Sequence, residues 1–258
     1  MENSSIKEIG ENIVKAGRLE TRPLCIYGSE TIPDGAIPIN KINRCIAYAI
    51  FSLSVNSEIN SIYIGDDVLE GCCPGGQSWF GFKSFFPNLK YFLSTGSKNF
   101  RNGAAEFLLA TPELAEESLN SIGKITPLSK YIVIRACEDV KNEEIKPKAI
   151  LCFGEAEQIR NLCSLANFRP TNSFNIHIPW GPSCATFVTY PSGMAEKHPN
   201  NSIIVGPTDP TGNYWFPPIY LAFGIPIEIA HRMSNDLQES FIIKRPTIAY
   251  PSKRSKVT

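Results

Sequence analysis

The stretch Lys148-Ala149-Ile150-Leu151-Cys152-Phe153-Gly154-Glu155-Ala156-Glu157-Gln158-Ile159-Arg160-Asn161-Leu162-Cys163-Ser164-Leu165-Ala166 changes period halfway. Up to Phe153 it is a short, nearly continuous apolar run, the pattern of a buried strand. After Gly154 the apolar positions fall at Ala156, Ile159, Leu162, Cys163 and Ala166, which share one face of a helix. A strand, a glycine and an amphipathic helix make a β-α unit.

Working outward, Ser4 to Ala16 places Ile6, Ile9, Ile13 and Val14 on one stripe and reads as an opening helix. Pro23–Tyr27, Ser61–Ile64, Tyr131–Arg135 and Ser202–Val205 read as strands, and Asn175 to Pro179 as extended. Helices are expected over Asn40–Ser54, around Ala104–Leu109, from near Pro112, and over Ile227–Leu237. Pro182 to Phe187 fits either a helix opened by proline or a continued β run. Strands and helices interleave without a sustained β-α-β rhythm and without a fixed-period repeat. The expectation is one mixed domain over residues 1–258, α/β or α+β, with a core from about 20 to 240 and a tail from about 245 to 258.

A chain of 258 residues buries roughly 70–75% of its unfolded surface, so its core needs no covalent staples. Its 25 basic and 25 acidic residues give no basic footprint, which disfavours a nucleic-acid partner. The basic run Lys253-Arg254-Ser255-Lys256 is short and reads as a solvated end. No apolar run approaches the ~18–20 residues of a membrane span, and the mixed-charge start lacks a signal-peptide core. A soluble cytoplasmic protein is expected, with its eight cysteines mostly reduced. No C-x-x-C pair occurs, which removes the common zinc-ribbon, thioredoxin and ferredoxin spacings. Cys25, Cys137, Cys152 and Cys163 read as small core hydrophobes.

Phosphate-binding glycine loops are absent: neither G-x-G-x-x-G nor G-x-x-x-x-G-K-[ST] is present. Asp66-Asp67 reads as a helix cap and Glu138-Asp139 as a solvated strand end. His177, seven residues before Cys184, permits a thiol nucleophile at the turn Gly181-Pro182-Ser183-Cys184. His198 and His231 read as satisfied histidines. The richest stretch runs from Gly65 to Phe82, where Cys72-Cys73 meets Pro74-Gly75-Gly76 and then Trp79, Phe80 and Phe82. A vicinal disulfide there would be strained, and neighbours in a strand point to opposite sides, so Cys73 is the candidate functional thiol and Cys72 its structural neighbour.

Taken in order, several of these segments resemble the DUF169 family, a prokaryotic family of uncharacterised proteins. They are Arg44-Cys45-Ile46-Ala47, Cys73-Pro74-Gly75-Gly76 with Gly81-Phe82, and Tyr131-Ile132-Val133-Ile134 leading to Glu138-Asp139. Lys148 to Gln158, Gly181-Pro182-Ser183-Cys184 and Phe223-Gly224-Ile225-Pro226 follow. Glu155-Ala156-Glu157 departs from the family's Asn-Pro-Ala type of turn, and Cys72 stands where a small residue is more usual. The resemblance implies a site at Cys45, Cys73 and Cys184, since those three thiols fall in family-like motifs. Soft thiolates suit an iron–sulfur cluster or zinc, and three would leave a coordination position open. The expectation is a metal, cluster or small-molecule ligand held there, with Gly75 and Gly76 allowing close backbone approach and Trp79, Phe80 and Phe82 walling off water. The rivals are an enzyme using Cys184 as nucleophile and a metal-free interaction module whose cysteines are structural.

Overall fold

The computed structural model describes residues 4–251 apart from 142–144, 171, 198–200, 211 and 213; the basic run at 253–256 and His198 fall outside them. Among the described residues eight strands form one sheet: β1 Leu24–Ser29, β2 Ile37–Pro38, β3 Ser61–Ile64, β4 Tyr131–Ala136, β5 Pro147–Glu155, β6 Ile176–His177, β7 Ile203–Gly206 and β8 Tyr220–Pro226. Their spatial order is β2-β3-β4-β1-β5-β8-β7-β6. The central pair β1–β5 is antiparallel, as are β1–β4, β3–β4, β5–β8 and β7–β8, while the outer pairs β2–β3 and β6–β7 are parallel. The fold is α/β on a mixed sheet.

Counted outward from the centre, one half runs β1, β4, β3, β2 and the other β5, β8, β7, β6. Each strand of the second half repeats the role of the strand four earlier. The central register obeys the same symmetry. Leu24 faces Leu151 and Cys25 faces Ile150, with a register shift after Ile26, an antiparallel pairing that a two-fold axis normal to the sheet allows. The sequence shows no fixed period because the connections in the two halves differ in length; the repeat lives in topology and register.

Helices among the described residues are α1 Ile6–Gly17, α2 Ile46–Val55, α3 Pro74–Trp79, α4 Leu89–Leu93, α5 Pro112–Ile122, α6 Ala156–Ala166, α7 Ile227–Asp236, α8 Phe241–Lys244 and α9 Pro246–Ala249, with a π-helical turn at Ala185–Thr189. Alternation along β5 assigns them to layers. Phe153 meets Phe51 of α2 and Phe187 of the π turn, with ring centres 5.2 and 4.9 Å apart. The next residue, Gly154, faces the other way, toward Leu19 and Gln158 of α6. That second face also carries α1 and α7, which pack on α6 and on each other. The sheet lies between two helical layers, and the main core is continuous across it.

Local chemistry fixes the ends. Ser5 caps α1 by accepting from the Glu8 amide, and Thr111 caps α5 by accepting from Leu114. Glu155 and Gln158 form a capping box at α6, which explains an acid at that helix start. Asp66 and Asp67 instead lie inside a 3₁₀ turn capped by Gly65, and Asp66 pairs with Lys83 at 2.7 Å. The helix expected over Asn40–Ser54 breaks: Asn43 Oδ1 accepts from the Cys45 amide, so α2 begins only at Ile46. The helix expected over Ala104–Leu109 does not form; a 3₁₀ turn at Arg101–Gly103 with left-handed Arg101 and Asn102 precedes an irregular segment. Pro182 to Phe187 resolves as helical turns rather than strand.

Arg22, 15% exposed, ties β1's start to the end of α2. One terminal nitrogen donates to the carbonyls of Leu53, Asn56 and Ile59 at 2.5–2.6 Å, and the other meets Glu138 at 3.2 Å. The cation thus satisfies carbonyls that a helix C-terminus leaves open. Replacing Arg22 by Ala should cost about 3 kcal/mol, since these are hydrogen bonds to a charged group; urea denaturation measures it, and a loss below about 0.5 kcal/mol would contradict this role.

Thiols make a second stability statement. Burial pushes Cys25 up to about 12 and raises Cys137, Cys152 and Cys184 as well. The folded state therefore keeps protons that the unfolded chain releases near pH ~8.5. Their contribution is complete below that pH and is lost as pH rises from it through about 12. Denaturation midpoints under reducing conditions should fall between pH 8.5 and 10.5, and Cys152→Ala should flatten that slope.

Candidate functional site

Cys45, Cys73 and Cys184 line one cavity of about 310 Å³, although 139 residues separate the first from the last. Two of them arrive by equivalent routes. A parallel strand pair needs a crossover; the β2-to-β3 crossover contains α2 and the β6-to-β7 crossover contains the π turn. Cys45 lies eight residues after Ile37 of β2, and Cys184 eight residues after Ile176 of β6. Each stands at the start of its crossover's helical segment, and both crossovers rest on Phe153.

Cys73 comes from the long connection between β3 and β4. It is the N-cap of α3, with Pro74 in the first turn, and its Sγ accepts from the Gly76 amide at 3.3 Å. Its own amide donates to the Arg44 carbonyl at 3.1 Å, which binds the start of α3 to the start of α2. Thr189 of the π turn closes the set by donating to the Trp79 carbonyl at 2.5 Å. Gly76 is required here. A Cβ would come within 2.9 Å of Ile46 Cδ1 and 3.1 Å of Cys73 Sγ, whereas a Cβ on Gly75 would meet nothing within 4 Å.

These hydrogen bonds hold the starts of α2 and α3 and the π turn together, and burial raises the Cys45 and Cys184 thiols. Cys184, 6% exposed, is raised well above the usual thiol range by burial and then by Cys73 and Cys45, against the Ala47 amide, which favours its thiolate. Cys45 is half-buried and is also raised by burial; the Tyr48 and Ala47 amides and the Trp215 indole N–H oppose that rise. The Ala47 amide serves both thiols. Among the described residues, no group of three or more His, Cys, Asp or Glu is set so that it could hold a metal ion. The thiols share a cavity floor without forming a coordination set.

Gly75, Gly76 and Trp79 also line the cavity. Phe82 does not: it packs on the core from outside, and Phe80 is wholly buried in that core. Cys72, 5% exposed, belongs to the core as well, with its thiol directed to the Val68 carbonyl. His177 lines a second cavity of about 340 Å³, so it does not share the first with Cys184. His231 sits on α7 in the opposite layer.

Most of the wall was not legible in the sequence. Leu89, Phe92 and Leu93 of α4 supply an apolar side, with Phe86 beside them and Trp180 across from Trp79, ring centres 6.4 Å apart. A five-residue helix is too short to show a period. The Trp180 Nε1 is buried and finds no acceptor among the described residues. Arg101, Glu106 and Asp209 add charge to the lining. The Arg101 guanidinium lies over Phe92 and Phe100, 4.8 and 5.3 Å from their ring centres. Positive φ at Arg101, Asn102 and Gly103 places it there, a signal absent from composition.

No helix among the described residues is long and apolar enough to cross a membrane. No curated protein and no solved structure matches the chain. The DUF169 family model, described as uncharacterised ArCR, matches residues 12–236. The match takes in β1 through α7, including all three cavity cysteines, and the chain belongs to the DUF169 family.

Proposed function

We propose that this protein binds a small organic molecule in the thiol-lined cavity. The observation that carries the reading is the convergence of Cys45, Cys73 and Cys184 beneath an aromatic and aliphatic wall. A volume of about 310 Å³ is at the lower end of ligand pockets, and an apolar lining with a few polar groups is their usual make-up. The ligand has an apolar or aromatic body that lies between Trp79, Trp180 and Phe92. Its polar head meets the charged residues Arg101, Glu106 and Asp209. A hydrogen-bond acceptor on it answers the Trp180 N–H, which is buried without one. The thiols give the floor a soft, polarisable surface.

The same geometry argues against the rivals. A nucleophile acts as thiolate, and burial holds Cys184 in its neutral form. Zinc or an iron–sulfur cluster needs thiolates gathered at bonding distance, and the described residues offer no such group.

Titration with 8-anilinonaphthalene-1-sulfonate, an apolar anion with two aromatic parts, tests the reading. One saturable site is expected on the folded protein. Gly75→Leu fills the cavity from a position with free space, so it should abolish that binding while leaving the denaturation midpoint unchanged. Equal binding by the variant would place the probe elsewhere and overturn the reading. Elemental analysis of anaerobically purified protein supplies the second arm: stoichiometric zinc or iron would replace the organic ligand with a metal centre.

A further inference from the structure

We propose that Cys45 and Cys73 form a reversible disulfide in the presence of hydrogen peroxide, and that this bridge closes the floor of the cavity. Proximity comes first. The hydrogen bond from the Cys73 amide to the carbonyl just before Cys45 measures 3.1 Å. Standard backbone dimensions then hold the two α-carbons within roughly 7 Å of each other, at the upper limit for bridged cysteines. Each residue is an N-cap with extended backbone, φ −84° and ψ 110° at Cys45, φ −63° and ψ 137° at Cys73. Neither lies inside its helix, so a small rotation at either costs no helical hydrogen bond. Each side chain lines the same cavity.

Access selects the same pair. Cys25, Cys72, Cys137, Cys152 and Cys184 are buried, and half-buried Cys163 lies on α6 across the sheet. Cys45 and Cys73 are the two half-exposed thiols that share a solvent-connected space. The adjacent Cys72 is a poor partner because a vicinal bridge strains the chain.

The chemistry balances with peroxide as the two-electron oxidant. The Cys73 sulfur attacks one peroxide oxygen, the O–O bond breaks, and water leaves a sulfenic acid on Cys73. The Cys45 sulfur then attacks the Cys73 sulfur. The S–S bond forms, the S–O bond breaks, and the hydroxyl departs as a second water with the proton of the Cys45 thiol. An external dithiol reverses the bridge by exchange. The bridge stands on geometry alone; its effect on binding rests on the ligand reading above.

The full-length reduced protein, treated with near-stoichiometric hydrogen peroxide and alkylated with N-ethylmaleimide after unfolding, should become two hydrogens lighter before labelling and lose two alkylation sites. Peptide mapping should join Cys45 to Cys73, and dithiothreitol should undo it. Cys72→Ser and Cys184→Ser should keep the bridge, while Cys45→Ser should leave oxygen adducts on Cys73. A bridge to Cys72 or Cys184, or adducts on Cys73 beside a free Cys45 in the wild-type protein, would overturn the proposal. Binding of 8-anilinonaphthalene-1-sulfonate should weaken several-fold on oxidation and recover on reduction. Unchanged binding by a mapped, bridged protein would remove the gating and leave the ligand site intact. Failure of the reduced protein to bind the probe would remove the ligand reading and leave the bridge.

Discussion

The antiparallel pairing of β1 with β5 is the constraint from which the rest of the molecule follows. With Leu24 opposite Leu151 and Cys25 opposite Ile150, the antiparallel pair accommodates the pseudo-two-fold axis that the strand order on either side describes. Every flanking strand then has a counterpart at the same distance on the other side. Both strands are buried over most of their length, so a slip of one residue would turn an apolar face to the wrong layer. Register here is fixed by burial on two faces rather than by a turn, since over a hundred residues separate the strands.

That symmetry explains why two cysteines 139 residues apart meet. An axis normal to the sheet keeps both crossovers on one face. Each packs on Phe153 near the centre, and each has a cysteine at the entry to its helical segment. The meeting is not fully symmetric. One crossover completes a regular helix, whereas the other makes a π turn from Ala185 to Thr189, pressed against Gly206 and Gly224. A Cβ on Gly206 would lie 2.8 Å from Thr186, and one on Gly224 would lie 2.7 Å from Pro191. Close approach to the sheet, permitted by those glycines, buries Cys184 more deeply than Cys45. Cys45 is thereby left the more accessible of the two thiols.

Much of the frame was legible because it depends on short-range pattern. The change of period at Gly154, the stripe of α1 and the apolar runs of β1, β3, β4, β5 and β7 are local signals. Where the reading failed, side chains or packing had replaced propensity. Asn43 captured the Cys45 amide and shortened α2, turning Cys45 from a first-turn residue into a cap. Tyr220–Pro226 went unread as a strand because two prolines precede it and Gly224 interrupts it, yet it pairs along seven residues of β5. The three cavity cysteines were nominated by motif, and only the topology places them together. Phe82 was nominated by nearness in sequence to Cys73; the turn at Gly81, with φ 77°, sends the chain away from the cavity. Trp180 and α4 carried no motif, and their part depends wholly on tertiary placement.

The two halves differ most in what joins their third and fourth equivalent strands. Between β7 and β8 lies a short loop bearing Asp209, Trp215 and Phe216. Between β3 and β4 lie more than sixty residues that supply Cys73, α3, α4, α5 and Arg101. The repeated frame therefore provides two thiols and a rigid aromatic base, and the longer connection provides the third thiol and the wall. Its own small core of Leu89, Leu93 and Ala115 packs partly on Trp180 rather than on the sheet. With that separate core, α4 and the start of α5 can adjust at lower cost than the frame beneath them. At the cavity's edge the longer connection is anchored by the hydrogen bonds from Cys73 to Arg44 and from Thr189 to Trp79, and at its far end Ile122, Lys124 and Thr126 pair with the backbone of Lys197, Glu196 and Met194. The wall at α4 and Arg101 thus belongs to the adjustable part, while two of the floor's thiols, Cys45 and Cys184, belong to the frame that the central pairing holds fixed.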